Sequence, residues 1–143
     1  MASEGTGAAA AGSAEAGAAD ASATAAGTAA DAAVTVTGNL GLTAGTLAMG
    51  ANGLSVAGNI TRAAGLITST GTVTLNGTVA QTVNFSGSTL QNLTVNNTSG
   101  TPTVTLNNTA AFTWNGNLLL TAGTLVLANF TQTIGGNVSG AGT

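Results

Sequence analysis

The decapeptide Gly38-Asn-Leu-Gly-Leu-Thr-Ala-Gly-Thr-Leu47 returns 78 residues later as Gly116-Asn-Leu-Leu-Leu-Thr-Ala-Gly-Thr-Leu125, with nine of ten positions identical. The same offset aligns Gly58-Asn59 with Gly136-Asn137. An internal repeat of short segments is typical of solenoid proteins, in which each unit buries its apolar side only by stacking on its neighbours. A coil of roughly 20 residues would place about four coils in each repeated unit.

Short β-branched segments fill the chain around this repeat, from Val34 onwards. Segments such as Val34-Thr-Val-Thr37 and Gly71-Thr-Val-Thr-Leu75 alternate apolar residues with Thr, and this period of two predicts strands. Gly and Asn separate the strands, and the pairs Asn52-Gly53, Asn76-Gly77 and Asn115-Gly116 predict tight turns with positive φ.

These features predict an all-β fold, specifically a right-handed parallel β-helix. Inward Leu, Val and Ile would stack in rows from coil to coil, and outward Thr and Asn would form ladders of hydroxyls and amides. Parallel sheets otherwise need helices to cover them, and no helical stretch follows residue 33. A β-sandwich is the main alternative.

Residues 1–33 differ in composition, because Ala dominates them and Gly interrupts every Ala run. Ala favours helix, but this segment has no large apolar side chains that would support a helix by packing. We therefore expect a disordered or partly helical Ala/Gly-rich low-complexity tail over 1–33, with transient helix near 8–33. The repetitive β-solenoid would occupy 34–143.

Charged side chains are nearly absent. The sequence contains no His, no Cys and no Tyr, and its single basic residue is Arg62. Its four carboxylates all precede Ala32, and they are Glu4, Glu15, Asp20 and Asp31. Acid–base catalysis, activation of a hydroxyl nucleophile and transition-metal binding all need groups that residues 32–143 lack. The sequence thus predicts no enzyme, with no catalytic, cofactor-binding or metal-binding residues.

The charge count also limits the partners. One Arg and a net charge of −3 predict no binding to nucleic acid, which needs several cations. The sequence has no stretch of ~18 consecutive apolar residues, so it predicts no membrane span, and no signal peptide is visible at Met1. The segment Gly136–Thr143 shows no capping helix or charged edge, so we expect self-association, stacking with like repeats, or a longer parent chain.

Several residue types admit a structural and a functional interpretation. Thr-x-Thr recurs at 35–37, 72–74, 103–105 and 131–133, but not at one constant coil spacing that would suit an ice-binding array. The aromatic residues are predicted to fill the core, with a carbohydrate platform as the alternative, and they are Phe85, Phe112, Trp114 and Phe130. Arg62 is predicted to be a solvated loop residue, the alternative being a pair with a partner's carboxylate.

Asn is frequent, and it forms nine Asn-x-Ser/Thr sequons, among them those at Asn59, Asn76, Asn92 and Asn137. A chain rich in Asn and Thr produces such sequons by chance, and glycosylation would matter only in a host that performs it. We predict that the Asn residues instead cap turns and stack in ladders.

Three segments, Asn39–Leu47, Val73–Val83 and Leu90–Asn97, resemble repeats of large bacterial surface proteins. These proteins include autotransporter passengers and filamentous-haemagglutinin-like adhesins. The resemblance covers about residues 34–143 and brings no catalytic residue with it. It implies a parallel β-helix stalk, secreted or attached to the cell surface, that serves in adhesion, biofilm matrix or display.

The sequence thus predicts a non-catalytic structural or adhesive segment of a bacterial cell-surface or extracellular repeat protein, self-associating or part of a longer fibre. Its other partner would be a host or environmental surface or a glycan. The alternatives are an ice- or glycan-binding β-solenoid and a segment of a phage tail fibre, in which runs such as Leu54–Thr61 also occur.

Overall fold

The computed structural model describes residues 21–23, 28–29, 32–99, 103–127 and 130–142. These residues form fifteen strands and no helix, so none of them belongs to a helix that could cross a membrane. In chain order the strands are β1 (Ala21–Ala23), β2 (Thr28–Ala29), β3 (Val34–Val36), β4 (Leu40–Leu42), β5 (Thr46–Gly50), β6 (Leu54–Val56), β7 (Ile60–Arg62), β8 (Leu66–Leu75), β9 (Gln81–Val83), β10 (Thr89–Asn96), β11 (Thr103–Leu106), β12 (Thr113–Trp114), β13 (Leu118–Ala122), β14 (Thr124–Leu127) and β15 (Val138–Gly140).

The strands build three faces, and every described strand pair is parallel. Face 1 is the six-stranded sheet β1-β4-β7-β9-β11-β14. Face 2 contains β2, β5 and β12 with the first halves of β8 and β10, and face 3 contains β3, β6, β13 and β15 with their second halves. This arrangement confirms the predicted parallel β-solenoid, with about five turns, in place of a sandwich.

Inward side chains of successive coils lie over one another. On face 1 the register pairs Leu40, Ile60, Val83, Leu106 and Leu127 in turn, which are 20, 23, 23 and 21 residues apart. The first four of these side chains are buried. Because burying one large aliphatic side chain contributes about 1.5–3 kcal/mol, a few such rows stabilise a stack that contains no helix.

The two copies of the decapeptide have the same local structure on different faces. In each copy a strand, a Gly corner and a second strand follow one another, and the corner glycines Gly45 and Gly123 have positive φ of 76° and 96°. The first copy leads from face 1 to face 2, whereas the second leads from face 3 to face 1. The repeated unit is therefore one corner with its two strands, and the 78-residue offset is not a whole number of coils.

The predicted positive φ at three Asn-Gly pairs is wrong. Gly53, Gly77 and Gly116 all have negative or extended φ, and no described residue other than glycine has a positive one. Two of these glycines serve close packing instead. A Cβ on Gly77 would lie 2.6 Å from the carbonyl oxygen of Ala57, and one on Gly116 would overlap the carbonyl oxygen of Gln91.

The Ala-rich segment contributes two strands to the stack. β1 pairs with β4, and β2 pairs with β5. Both strands lie before the predicted boundary at Val34. They are strands rather than helix because pairing with the next coil supplies hydrogen bonds to their backbone groups, whereas an isolated Ala-rich helix would lack stabilising tertiary contacts. The rest of the predicted tail, apart from residues 32–33, lies outside the described residues.

Replacing Gly58 tests how closely the coils approach. A Cβ on Gly58 would overlap the carbonyl of Gly38 and lie 2.7 Å from the amide nitrogen of Asn39, so we expect Gly58→Ala to lower the free energy of unfolding by about 2–3 kcal/mol. The control is Gly53→Ala, where the nearest atom lies 3.8 Å away. Urea unfolding should show a change under about 1 kcal/mol for the control. Equal losses would contradict the close-approach explanation.

Candidate functional site

Arg62 is the only charged side chain among the residues that the structure describes. The four carboxylates lie outside those residues, and they are Glu4, Glu15, Asp20 and Asp31. Within the described ranges no group of three His, Cys, Asp or Glu residues is placed to hold a metal ion. That the chain lacks catalytic, cofactor-binding and metal-binding residues stays a prediction. The outer faces of the solenoid are the candidate functional surfaces.

Arg62 is the last residue of β7 and is half-buried where face 1 turns toward face 2. Its Nε donates to the carbonyl oxygen of Gly65 at 2.8 Å, and its Nη2 donates to that of Ala64 at 3.5 Å. The amides of Ala63 and Gly65 both donate to the carbonyl oxygen of Leu42, which fixes this corner on the preceding coil. The prediction of a solvated loop residue is therefore wrong, since Arg62 belongs to a strand and its guanidinium is held at a corner.

A shallow groove, here called the face 1 groove, runs along the outside of face 1 on both sides of Arg62. It consists of two depressions of about 240 and 260 Å³, and Thr61 and Arg62 line both. The other polar side chains along it are Thr43, Asn59, Thr82, Asn84 and Asn107. The groove spans the four coils that contain β4, β7, β9 and β11. Because neighbouring strands lie ~4.8 Å apart, it is about 14 Å long.

Hydrogen bonds orient two of the amides in this groove. Asn59 accepts a hydrogen bond on Oδ1 from the amide of Thr82 at 2.8 Å, across one coil boundary. Asn84 accepts on Oδ1 from the amide of Ser86 at 3.0 Å and from its hydroxyl at 2.7 Å. Thr61, Thr82 and Asn107 are exposed. The groove thus presents fixed amides beside exposed hydroxyls, with one guanidinium among them.

Face 3 carries the clearest Asn ladder. The amide of Asn117 donates to Oδ1 of Asn92 at 3.1 Å, and the amide of Asn137 donates to Oδ1 of Asn117 at 2.9 Å. Asn39 and Asn59 form the same bond near face 1, at 2.8 Å. The prediction that Asn residues stack in ladders is confirmed. Two of these side chains, those of Asn59 and Asn92, belong to sequons, and each accepts a hydrogen bond from the backbone of another coil.

The Thr-x-Thr segments are distributed over all three faces. Segment 35–37 overlaps the end of β3, and segment 72–74 lies in the second half of β8; both belong to face 3. Segment 103–105 lies in β11 of face 1. Segment 131–133 precedes Ile134, which bridges to Trp114 on face 2. These pairs consequently do not combine into one flat array of the kind that an ice-binding surface requires.

The aromatic residues fill the core except in the last described coil. Phe85, Phe112 and Trp114 are buried, with ring centroids 5.6 Å apart for each neighbouring pair. The prediction of core fillers is confirmed for these three residues. Phe130 is exposed, so the prediction is wrong there, because no described coil covers that position.

Gln81 is a buried polar residue that the sequence interpretation overlooked. Its Nε2 donates to the carbonyl oxygens of Val56 and Gly58 at 3.0 and 2.7 Å. Its Oε1 accepts from the amide of Gly77 at 3.0 Å and from Nδ2 of Asn97 at 3.1 Å. All four hydrogen-bonding sites are thus occupied inside the stack. The sequence did contain a signal for this burial. Gln81 lies two residues before Val83 in an alternating segment, so both side chains point inward.

Comparisons with family models, with curated proteins and with solved structures found no match for this chain.

Asn117 tests the ladder. We expect Asn117→Ala to lower the free energy of unfolding by about 1 kcal/mol and to speed hydrogen exchange at the amide of Asn137, which loses its acceptor. Asn117→Asp keeps an acceptor oxygen and should retain the slow exchange. The control is Asn107→Ala, at an exposed position outside the ladder. Slow exchange in Asn117→Ala would show that the side-chain bond is unimportant.

Gln81 tests the buried network. Gln81→Leu keeps the approximate size but leaves two carbonyl oxygens, one amide and Asn97 without their partner, so we expect a loss of about 2–4 kcal/mol in the free energy of unfolding. The matched control is Gln91→Leu, at a half-buried position on β10. Urea unfolding should change by less than about 1 kcal/mol in the control. If both variants lose the same amount, the network contributes no more than any Gln side chain.

Proposed function

We propose that this chain is a non-catalytic structural and adhesive segment of a bacterial cell-surface or extracellular repeat protein, and that it stacks with like coils into a longer fibre. The observation that carries the proposal is the exposure of core positions in the last described coil. Leu127 is 47% exposed and Val138 is 58% exposed, although each continues a row whose earlier members are buried.

Among the described residues, the strands of this coil have backbone pairing on one side only. β14 and β15 are the last strands in their sheet orders, and each pairs with one described neighbour only. A strand edge beside an exposed apolar row is the arrangement that another parallel coil covers. Coils that stack in parallel in this way do not close on themselves, so repeated addition of like coils would produce a fibre rather than a small ring.

The sides of the solenoid support an adhesive role for such a fibre. Along face 3 a depression of about 430 Å³ is lined mostly by hydroxyls and amides, including Thr72, Thr94 and Asn117. Hydroxyls and amides both donate and accept hydrogen bonds, so such a wall suits contact with polar surfaces or glycans. The resemblance of three segments to bacterial surface repeats adds to the proposal of an extracellular location.

Sedimentation velocity between 10 µM and 1 mM tests the stacking. We expect the sedimentation coefficient to rise with concentration, and negative-stain images to show rods one solenoid wide. Val138→Lys places a charge on the exposed end of an apolar row, and its desolvation should weaken association by about 10-fold or more. Thr94→Lys, on the side of the stack in β10, is the matched control and should associate like the unmodified chain.

Two results would reject the stacking. One is a monomer at every concentration. The other is assembly of Val138→Lys that matches the unmodified chain, because stacking would then not involve the end of the described coil.

A further inference from the structure

We propose that the face 1 groove binds a carboxylated polysaccharide, with Arg62 pairing with a sugar carboxylate. The inference rests on the adhesive part of the proposed function, for which it names the ligand class. Its basis is the position of the lone guanidinium between two depressions that are otherwise lined by uncharged polar groups and aliphatic residues.

Arg62 is held in place before any ligand arrives. Its hydrogen bonds to the carbonyl oxygens of Ala64 and Gly65 use one N–H of Nε and one of Nη2. A guanidinium has five N–H donors in a planar fork, so these two bonds leave three for a ligand. Nη2 lies 4.0 Å from the position that a Cβ on Gly87 would take, so the next coil passes beside it without a side chain. A side chain fixed in this way loses little conformational entropy on binding a carboxylate.

No carboxylate of the described residues competes for Arg62, since those residues contain neither Asp nor Glu. A carboxylate on a ligand would therefore make a charge-assisted hydrogen bond, which is about twice as strong as a neutral one. The single cation in a groove of about 14 Å suits a polymer that carries isolated carboxylates rather than one charge on every unit.

The remaining lining fits sugar hydroxyls. Thr61 and Thr82 present exposed hydroxyls on neighbouring coils, and Asn107 presents an exposed amide on the next. Each of these groups both donates and accepts, as does a sugar hydroxyl. Because the coils repeat at ~4.8 Å, the polar groups form rows along which an extended saccharide chain can lie.

Other anionic partners fit this groove less well. Nucleic acids and polyphosphates need several Lys or Arg residues, and the groove has one. An acidic peptide that adds a strand needs an open sheet edge, whereas β7, β9 and β11 are each paired on both sides. An isolated sugar carboxylate with neighbouring hydroxyls matches both the single charge and the polar rows.

Calorimetric titration with a hyaluronan octasaccharide, in which uronate and N-acetylhexosamine alternate, tests the inference. The matched probe is the same oligosaccharide with its carboxylates reduced to alcohols. We expect the unmodified chain to bind the reduced probe about 10-fold more weakly or worse. Arg62→Gln should bind the intact probe about 10-fold more weakly than the unmodified chain does. Its affinity for the reduced probe should equal that of the unmodified chain, since both changes remove the same ion pair.

Two variants keep the test independent of Arg62. Thr82→Val in the groove retains a β-branched side chain and should weaken both probes by about 3-fold, the loss of one neutral hydrogen bond. Thr113→Val, at an exposed position of β12 on face 2, should leave both affinities unchanged. Circular dichroism verifies the fold of each variant, and the comparison of the two probes on the unmodified chain holds even if Arg62→Gln does not fold.

Absence of binding, equal binding of the two probes, or unchanged affinity in a folded Arg62→Gln would overturn the inference. So would dextran sulfate competing as well as the intact probe does, because binding would then reflect general attraction to anions. Sedimentation of the same samples distinguishes this failure from failure of the proposed function. Chains that stack but bind no saccharide would retain the structural role and lose this ligand.

Discussion

The parallel, in-register pairing of each coil with the next is the constraint on which the other features of this structure depend. It places every inward side chain above a counterpart about one coil away in sequence, so Leu40, Ile60, Val83 and Leu106 form a continuous buried row. Dispersion and burial then accumulate along the stack without any helix to cover the sheets. The same register brings backbone close to backbone, which explains why glycine occupies the positions where a Cβ would meet the neighbouring coil.

Most of the buried polar side chains lie in the two longest coils, and Asn108 lies in the coil that follows them. The two coils of 23 residues that join Ile60, Val83 and Leu106 contain Gln81 and Ser86. Gln81 satisfies groups of two coils and the corner at Gly77, and Ser86 accepts from the amide of Thr109 at 2.9 Å while donating to Asn84. Extra residues at a corner expose backbone groups that an apolar row cannot satisfy, so buried amides and hydroxyls do so.

The outward side chains follow the same register, but they form polar rows instead of a buried core. Outward positions stack as ladders of Asn, whose side-chain oxygens accept hydrogen bonds from the next coil, and as rows of Thr; these side chains carry no charge. Hydroxyls and amides carry no net charge, so the one guanidinium, at Arg62, dominates the electrostatics of face 1 within the described residues. Structural regularity and the proposed recognition feature would thus coexist on face 1, and the proposed fibre would repeat that feature wherever coils of this type recur.

Sequence periodicity by itself determined the all-β solenoid, because alternation and repetition are local properties of the chain, and residue type alone indicated the Asn ladders and the burial of Phe85, Phe112 and Trp114. Tertiary structure decided which residues lie across from one another on adjacent coils. It placed the decapeptide copies on different faces, brought Ala21–Ala23 into a strand, gave Gly77 and Gly116 a packing role and fixed Arg62 at a corner. These outcomes depend on neighbours roughly 20 residues away, and since coil length varies from 20 to 23 residues, no fixed spacing in the sequence identifies those neighbours.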